Sequence, residues 1–476
     1  MVFSSMLFVF LFLPANLISQ LVLKTPKKRN IAMLVFSLIF YSWGGPRYLL
    51  LLLGMVLICW VGALLIEHAE PENKKTLMVI TVALCLLILG IFKYLTFLLG
   101  TAQSLFSVPE VVPKIALPIG ISFYTFQLIS YVVDVYRGDV HAQKRYWMLL
   151  LYASLFHQCI AGPIVRYKDV NDDIRRRKVN LAEISRGISR FSIGLAKKAV
   201  LANGCAAVAD QLLLSDATEL AAIPAMGILL GGFAFMMQLY LDFSAYSDMA
   251  IGMGLMCGFH YKENFNHPFV SKSFKEWNSR WHISLGSFFR DYLYYPLGGS
   301  RCDKNRQIFN LMVVWMLTGL WHGASWNFVI WGAFEGLMIV LERFVWGKYI
   351  ERAPGIVGHI YVLLFHMFSM LLFKFTTLPL LGTAIGGLFG LHHNGFTNAS
   401  VTLLFKNNIW FLIFSFIACL PIGTAIRSML SNLGRRSNIF EAVNLVWEVV
   451  HPVLLLLISA MALAGVSYNP FLYFQF

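Results

Sequence analysis

Residues 77–99 read LMVITVALCLLILGIFKYLTFLL, an apolar run in which Lys93 is the one charged side chain. A helix needs about 20 apolar residues to cross a bilayer core of about 30 Å, so this run is long enough to span a membrane. Outward from it in both directions, comparable runs occupy 3–23, 31–66 (broken at Gly44-Gly45-Pro46), 114–136, 146–164, 224–258, 307–321, 323–346, 356–378, 409–426 and 445–464. Together they predict an all-α, polytopic membrane protein with roughly eleven transmembrane or re-entrant helices.

The composition of the 476 residues excludes the other broad classes. Residues of the set AVILMFWYC make up 58% of the chain, charged residues only 13%, and the mean hydropathy is +0.68. A soluble domain carries about a quarter of its residues as charged side chains, and disordered or fibrous chains are far less apolar. The seven cysteines are scattered without a C-x-x-C pair, so we predict no disulfide framework and no metal site.

The excess of positive charge is concentrated in segments between apolar runs. Four segments, Lys24–Arg29, Arg166–Lys198, Lys262–Arg306 and the three arginines 427, 435 and 436, carry a net charge of +17, and the rest of the chain carries −3, which gives +14 overall. This is the positive-inside pattern of cytoplasmic loops, which predicts contact with membrane lipids and argues against nucleic acid as a partner. Because the run up to Leu23 has no positive residue before it, we interpret it as a retained first helix rather than a cleaved signal peptide.

We expect one integral-membrane domain over 1–476. Within it we distinguish N-terminal helices (1–165), cytoplasm-facing interfacial and core helices (166–306), a pair of helices at 307–346 and C-terminal helices (347–476).

Four segments carry more specific expectations. The amphipathic stretch 183–198 predicts an interfacial helix with its basic face toward lipid headgroups. The run 224–258 contains two aspartates and could form two pieces. A capping box at Ser273 and Glu276 predicts a helix that can run to Tyr295. The glycine-rich segment 379–396 resembles a re-entrant or surface loop.

Polar side chains inside apolar runs are energetically unfavourable in a membrane interior, and we therefore treat them as functional candidates. The set comprises Lys93, Asp134, His157, Asp242, Asp248, His282, His322, Glu335, Glu342 and Lys374. His322 lies between Gly319 and Gly323, with Trp321 and Trp326 able to screen it from lipid. Burial without a carboxylate would keep this imidazole neutral, as a base must be, although a purely structural histidine remains an alternative. His282, on the capped helix, carries the same two interpretations.

Eight strings give the chain a resemblance to a known family. They are MVFSS (1–5), PIGISF (118–123), AGPIVRY (161–167), DFSAYSDMAIG (242–252), ENFN (263–266), RWHISL (280–285), YLYYPLGGSR (292–301) and LWHG (320–323). In this order and spacing the chain resembles the membrane-bound O-acyltransferase superfamily, in the branch of bacterial alginate O-acetylation membrane proteins. Beyond about residue 350 the resemblance is diffuse.

The resemblance implies a ring of helices around a path to the active centre, and acyl transfer as the activity. His322 then matches the catalytic histidine and His282 the second polar position. We further expect substrate contacts from side chains in or beside the matching strings: Trp321, Trp281, Arg280, Asp242, Asn278, Tyr295 and Arg301. The implied donor is acetyl-CoA, with no bound cofactor. The implied partners are an extracytoplasmic protein resembling SGNH hydrolases and the machinery that makes an exopolysaccharide, at a bacterial plasma membrane.

Two alternatives stay open from the sequence. One is D-alanyl transfer to teichoic acids from a carrier-protein thioester. The other is a non-catalytic transporter of an acyl donor or polysaccharide precursor, in which the buried histidines and aspartates would form a proton or substrate path.

Overall fold

The computed structural model describes residues 1–106, 115–434, 438–465 and 471–472. Across these residues the secondary structure is helical, without β-strands. The α-helices are α1 (Leu13–Val22), α2 (Pro26–Ser42), α3 (Pro46–His68), α4 (Pro71–Phe106), α5 (Ile121–Arg137), α6 (Tyr146–Ser154), α7 (Tyr167–Arg176), α8 (Leu181–Ala196), α9 (Asn203–Ala209), α10 (Ala217–Ala221), α11 (Ala225–Met256), α12 (Phe274–Arg280), α13 (Ile283–Phe289), α14 (Lys304–His322), α15 (Trp326–Leu341), α16 (Gly347–Arg352), α17 (Gly355–Lys374), α18 (Leu378–Leu388), α19 (Ala399–Cys419), α20 (Ile422–Gly434) and α21 (Asn438–Leu463). Short π-helical turns occupy Phe8–Phe12, Lys197–Ala202, Arg290–Tyr294 and Glu342–Trp346, and a 3-10 turn occupies Pro268–Val270.

Within the described ranges, seven helical segments are long and apolar enough to cross a bilayer. They are Pro46–His68, Pro71–Phe106, Leu181–Ala209, Ala225–Met256, Gly355–Lys374, Ala399–Cys419 and Ile439–Leu463. The all-helical, multi-pass membrane fold is thereby confirmed, whereas the expected count of about eleven is not. One reason is that some apolar runs fold only in part: the run 146–164 is helical only over the nine residues of α6.

The break predicted at Gly44-Gly45-Pro46 is confirmed. Helix α2 ends at Ser42 and α3 begins at Pro46. Gly45 adopts a φ of 142°, a backbone conformation that favours glycine, and Pro46 stands at the first helical position, where its missing N–H costs nothing.

The run 224–258 forms one continuous helix, α11, rather than two pieces. Its central aspartate, Asp242, is 4% exposed and lies 2.6 Å from the ammonium of Lys198, which is 6% exposed. The backbone N–H of Leu472 also donates to Asp242, at 2.8 Å. Because the carboxylate finds a cation and a donor from other segments, the helix has no need to break around it.

The stretch 183–198, predicted to be an interfacial helix, is part of a longer apolar helical segment. It belongs to the span Leu181–Ala209, which packs along α11. Arg190 and Lys197 reach the carboxylate of Asp248 on α11 at 2.9 and 2.8 Å. The basic stripe that we interpreted as facing headgroups therefore pairs in part with an aspartate of the core helix.

The helix predicted to run from Ser273 toward Tyr295 starts as expected, because Ser273 Oγ accepts from the backbone N–H of Glu276 at 3.1 Å. It then breaks into α12 and α13. At the break His282 adopts the left-handed φ of 42°. The first N–H of α13, from Ile283, donates to the carbonyl of Asn264 at 2.9 Å. Tertiary contacts with Asn264 thus override the local helical pattern.

The segment 379–396 is half helical. Helix α18 covers Leu378–Leu388 and is too short to cross a bilayer, and an irregular segment with left-handed glycines at 390 and 395 follows it. Arg435 and Arg436, two of the basic residues used for orientation, lie outside the described residues.

We predict that Asp242→Ala lowers the apparent free energy of unfolding by about 3–5 kcal/mol, because it leaves the buried Lys198 ammonium without a counter-charge. The double variant Asp242→Leu with Lys198→Met removes both charges and should recover most of the loss. Thermal unfolding of the detergent-solubilised proteins, followed by intrinsic fluorescence, measures both effects. Equal destabilisation by the single and double variants would contradict the ion-pair assignment.

Candidate active site

Helices α14 and α15 form a hairpin with His322 at its tip. His322 is the last residue of α14, and α15 begins four residues later at Trp326. Gly319 and Gly332 permit the tight approach of the two helices: a Cβ built on Gly319 would lie only 3.0 Å from the Cα of Gly332. Small residues at such a contact let two helices in a membrane pack closely, which fixes the end of α14 in space.

A cavity of about 390 Å³ runs along one face of α14. Leu311, Val314, Thr318 and His322 line it at spacings of three and four residues, so they form one helical stripe. At 1.5 Å rise per residue the stripe is about 16 Å long. His322 lies at one end of this stripe.

The other walls of the cavity come from α12, α13 and the π-helical turn after it, and from α15 and α17. Their lining residues are Trp277, Asn278, Ser279, Trp281, His282, Ile283, Leu285, Gly286, Ser287, Phe289, Arg290, Tyr294, Trp331, Glu335, His366 and Met370. The structure therefore brings His282 and His322, which are forty residues apart in the chain, to the wall of a single cavity.

Trp321 contacts both imidazoles. Its ring centroid is 4.8 Å from that of His322 and 5.7 Å from that of His282. On its other sides the His322 ring contacts the rings of Trp331 at 4.9 Å and Phe373 at 5.2 Å. Aromatic rings thus hold the His322 ring, but of the two flanking tryptophans only Trp321 is among them. Trp326 is 47% exposed and packs against Phe97 instead.

Asn264 determines the orientation of His282. Its Oδ1 lies 3.1 Å from His282 Nδ1 and also accepts from the N–H and the hydroxyl of Ser284, at 3.2 and 2.8 Å. Because Oδ1 can only accept, Nδ1 of His282 carries the proton, which leaves Nε2 as the acceptor of the neutral ring. The short helices α12 and α13 do not span the membrane, and burial between them lowers the pKa of His282 to about 3.

Lys93 and Tyr94 of α4 bind the last carbonyl groups of α14. The Lys93 ammonium donates to the carbonyl of Trp321 and, at 3.2 Å, to the hydroxyl of Ser122. The Tyr94 hydroxyl donates to the carbonyl of Leu320 at 2.8 Å. The last four carbonyls of a helix lack partners within it, and a cation at this end complements the helix dipole. These two side chains hold the residues that directly precede His322.

The structure separates the remaining predicted site residues into two groups. Trp281 and Asn278 line the cavity with the two histidines. Asp242 pairs with Lys198, Arg280 is bonded to Glu276 and to the carbonyl of Asn266, and Tyr295 and Arg301 are exposed. None of these last four residues is among those that line the cavity.

Sequence reasoning did not assign Asn264, Tyr94 or His366 to the site. Asn264 stood in the matching string ENFN, but its role depends on a contact across the fold with His282. Lys93 and Glu335 stand out in the sequence as polar groups within apolar runs. The structure places Lys93 on the carbonyl of Trp321 and Glu335 at the cavity wall, and neither position is visible in the sequence.

Comparison with known proteins fits this geometry. The profile of the membrane-bound O-acyltransferase family matches residues 145–354, which include α12–α15 and both cavity histidines. A probable alginate O-acetylase of Pseudomonas putida is 36% identical over 496 aligned positions that cover all of both chains. A probable alginate O-acetylase of Azotobacter vinelandii is 41% identical over 72% of this chain and 69% of its own. A peptidoglycan O-acetyltransferase of Helicobacter pylori is 32% identical over 72% of this chain and 70% of its own.

The full-length similarity at 36% identity and the match of the family profile to the helices around the cavity lead to one conclusion. This multi-pass membrane protein is an acyltransferase and belongs to the membrane-bound O-acyltransferase family.

Proposed function

We propose that the protein is an O-acetyltransferase that takes acetyl from a cytoplasmic thioester, acetyl-CoA, and passes it across the membrane for O-acetylation of an exopolysaccharide such as alginate. The observation that carries the proposal is the meeting of His322 and His282 on one elongated cavity. Relatives named as O-acetylases of alginate and of peptidoglycan support acetyl as the group transferred.

The orientation of the cavity supports a cytoplasmic donor. Lys304 begins α14, and Arg343 and Lys348 follow the far end of α15, so the positive-inside rule puts the open end of this hairpin on the cytoplasmic side. The 19 residues of α14 rise about 28 Å, which carries His322 toward the opposite side. The narrow, acetyl-bearing arm of acetyl-CoA would enter near Ser279 and Arg290. It would then lie along the cavity-lining stripe of α14 and reach the imidazole of His322.

The chemistry requires a base and a thioester. We assign the base to neutral His322, which accepts the proton of the acceptor hydroxyl while the hydroxyl oxygen bonds to the acetyl carbon. The carbon–sulfur bond then breaks, and the leaving thiolate of CoA takes up the proton from the imidazolium. In an alternative form of this mechanism, His322 itself carries the acetyl group transiently before the acceptor hydroxyl receives it. His282, with Nε2 as an acceptor, orients the donor or the acceptor.

We further propose that the acceptor lies outside the cytoplasmic membrane of a bacterium. There an extracytoplasmic partner resembling SGNH hydrolases would receive the acetyl group and pass it to the polysaccharide. Within the single domain 1–476, the helices of 307–346 carry the catalytic histidine, and the helices beyond 347 are where we expect contacts with the partner.

Two experiments separate the proposal from its alternatives. A D-alanyl transferase would use D-alanyl carrier protein and not acetyl-CoA as donor, so vesicles containing the protein are offered each donor in turn. A transporter without chemistry would release no CoA from acetyl-CoA, so His322-dependent release of CoA by the purified protein distinguishes an enzyme from a transporter.

We predict that His322→Ala abolishes acetyl transfer, because it removes the base from the end of the cavity, while expression and thermal stability stay near those of the wild type. O-acetylation of the polysaccharide in cells and CoA release by purified protein are the two readouts. General acid–base groups contribute typically about 10²–10⁴-fold to a rate, so the residual rate should be at least about a hundredfold lower.

A matched control for this variant is His392→Ala. This histidine lies in the exposed segment after α18, away from the cavity, and its replacement should leave transfer unchanged. O-acetylation at the wild-type level by His322→Ala would remove the catalytic assignment.

Lys93→Met should lower kcat for acetyl transfer about tenfold or more with little change in KM for the donor. The methionine fills the same space but cannot donate to the carbonyl of Trp321, so the end of α14 loses a fixed position. Lys93→Arg restores both charge and donor and should recover part of kcat. A change confined to thermal stability, with kcat unaffected, would show that Lys93 serves the fold and not the position of His322.

A further inference from the structure

A second polar cluster, formed by Glu335 on α15 and His366 on α17, lines the same cavity and has no role in the chemistry assigned above. Each residue is only 1% exposed. The His366 ring is held between the rings of Phe274 and Trp277, with centroid distances of 4.3 and 4.2 Å. The positions of the cluster are therefore fixed by packing.

One end of each side chain is anchored within the protein. The hydroxyl of Ser369 donates to Glu335 Oε1 at 2.5 Å and itself accepts from Trp331 Nε1 at 2.8 Å. His366 Nδ1 lies 3.0 Å from the carbonyl of Val362, which can only accept, so the proton of the neutral ring is on Nδ1. His366 Nε2 is consequently an acceptor.

The other ends make no close hydrogen bond among the described residues, although the side-chain amide of Asn278, which also lines the cavity, lies near enough to the Glu335 carboxylate to interact with it. Glu335 Oε2 and His366 Nε2 are both buried and lie 3.9 Å apart, too far for a hydrogen bond. A buried acceptor that makes no close hydrogen bond is unfavourable, and two acceptors that face each other at a cavity wall cannot satisfy one another. A ligand that brings an N–H donor into the cavity between them would satisfy both.

The distance of this cluster from His322 indicates which part of a ligand would meet it. Trp331, whose ring contacts His322, and Glu335 are four residues apart on α15, so they lie on one face about 6 Å from each other along the axis. Glu335 lies beside the part of α14 near Trp315, since a Cβ on the adjacent Gly336 would meet that side chain at 2.9 Å. The cluster is therefore displaced from His322 toward the proposed entrance of the donor.

We propose that Glu335 and His366 form a subsite for the secondary amide nearest the sulfur of a pantetheine-type thioester. This inference rests on the proposed thioester donor. In such a donor two methylene groups separate the sulfur from the first amide nitrogen. With the acetyl carbon at His322, that amide N–H reaches the level of Glu335, and its hydrogen bond to the two acceptors selects donors that carry the amide.

The test compares two short acetyl donors of equal chain length. S-acetyl-N-acetylcysteamine keeps the first amide, and S-pentyl thioacetate replaces it with methylene groups. With purified wild-type protein we expect kcat/KM for thiol release to be about tenfold or more higher for the amide donor, the ratio that one net hydrogen bond of about 1.4 kcal/mol supplies.

Glu335→Gln is the matched variant. The carbonyl oxygen of the new amide can still accept from Ser369, while an NH2 group, which is a donor, replaces the second carboxylate oxygen. We expect the ratio between the two donors to fall to near one, because kcat/KM for the amide donor falls further than kcat/KM for S-pentyl thioacetate. His366→Phe, which keeps the ring packing and removes Nε2, should lower the ratio in the same direction. Glu67→Gln, at a carboxylate bonded to His141 away from the cavity, should keep the wild-type ratio.

The outcomes distinguish the subsite from the proposed function. If wild type releases thiol in a His322-dependent way and the ratio stays unchanged in both Glu335→Gln and His366→Phe, the subsite is overturned and the donor assignment stands. If wild type releases thiol from neither short donor nor from acetyl-CoA, the donor assignment itself fails and the subsite fails with it.

Discussion

The arrangement of this protein depends on how one buried helix end is satisfied. Helix α14 stops at His322, and the carbonyl groups of its last turn have no partners within the helix. Lys93 and Tyr94 of α4 supply the missing donors to Trp321 and Leu320. The ammonium of Lys93, which would be unfavourable in the apolar run 77–99 without a partner, thus holds the tip of the α14–α15 hairpin against α4.

The same principle governs the other buried charges. Asp242 and Asp248 of α11 are each matched by cations from the preceding span, Lys198 for the first and Arg190 with Lys197 for the second. In water such pairs contribute little, but in a membrane interior an unmatched charge is strongly unfavourable. These contacts fix the register of α11 against its neighbour and let the central helix stay continuous.

The membrane fold could be predicted from the sequence, because apolar length is a local signal. His322 and His282 stood out as polar residues in apolar surroundings, but only the family resemblance implied roles for them, and only the fold shows that they meet on one cavity. The break between α12 and α13 could not be predicted, since Ser273 and Glu276 give a genuine helix start and the interruption comes from Asn264, which bonds Ile283 and Ser284 across the fold. The basic stripe of 183–198 was assigned to lipid because its partner, Asp248, lies about fifty residues away. Glu335 and His366 were likewise invisible as a pair.

We propose that a CoA thioester reaches His322 from the cytoplasmic side through the cavity along α14. Alkylation by bromoacetyl-CoA in inside-out and right-side-out vesicles, with the modified residue identified by mass spectrometry, tests this route. We expect His322 to be alkylated in inside-out vesicles and to be protected by acetyl-CoA. Alkylation of His322 only in right-side-out vesicles, or none at all where acetyl-CoA is turned over, would contradict it.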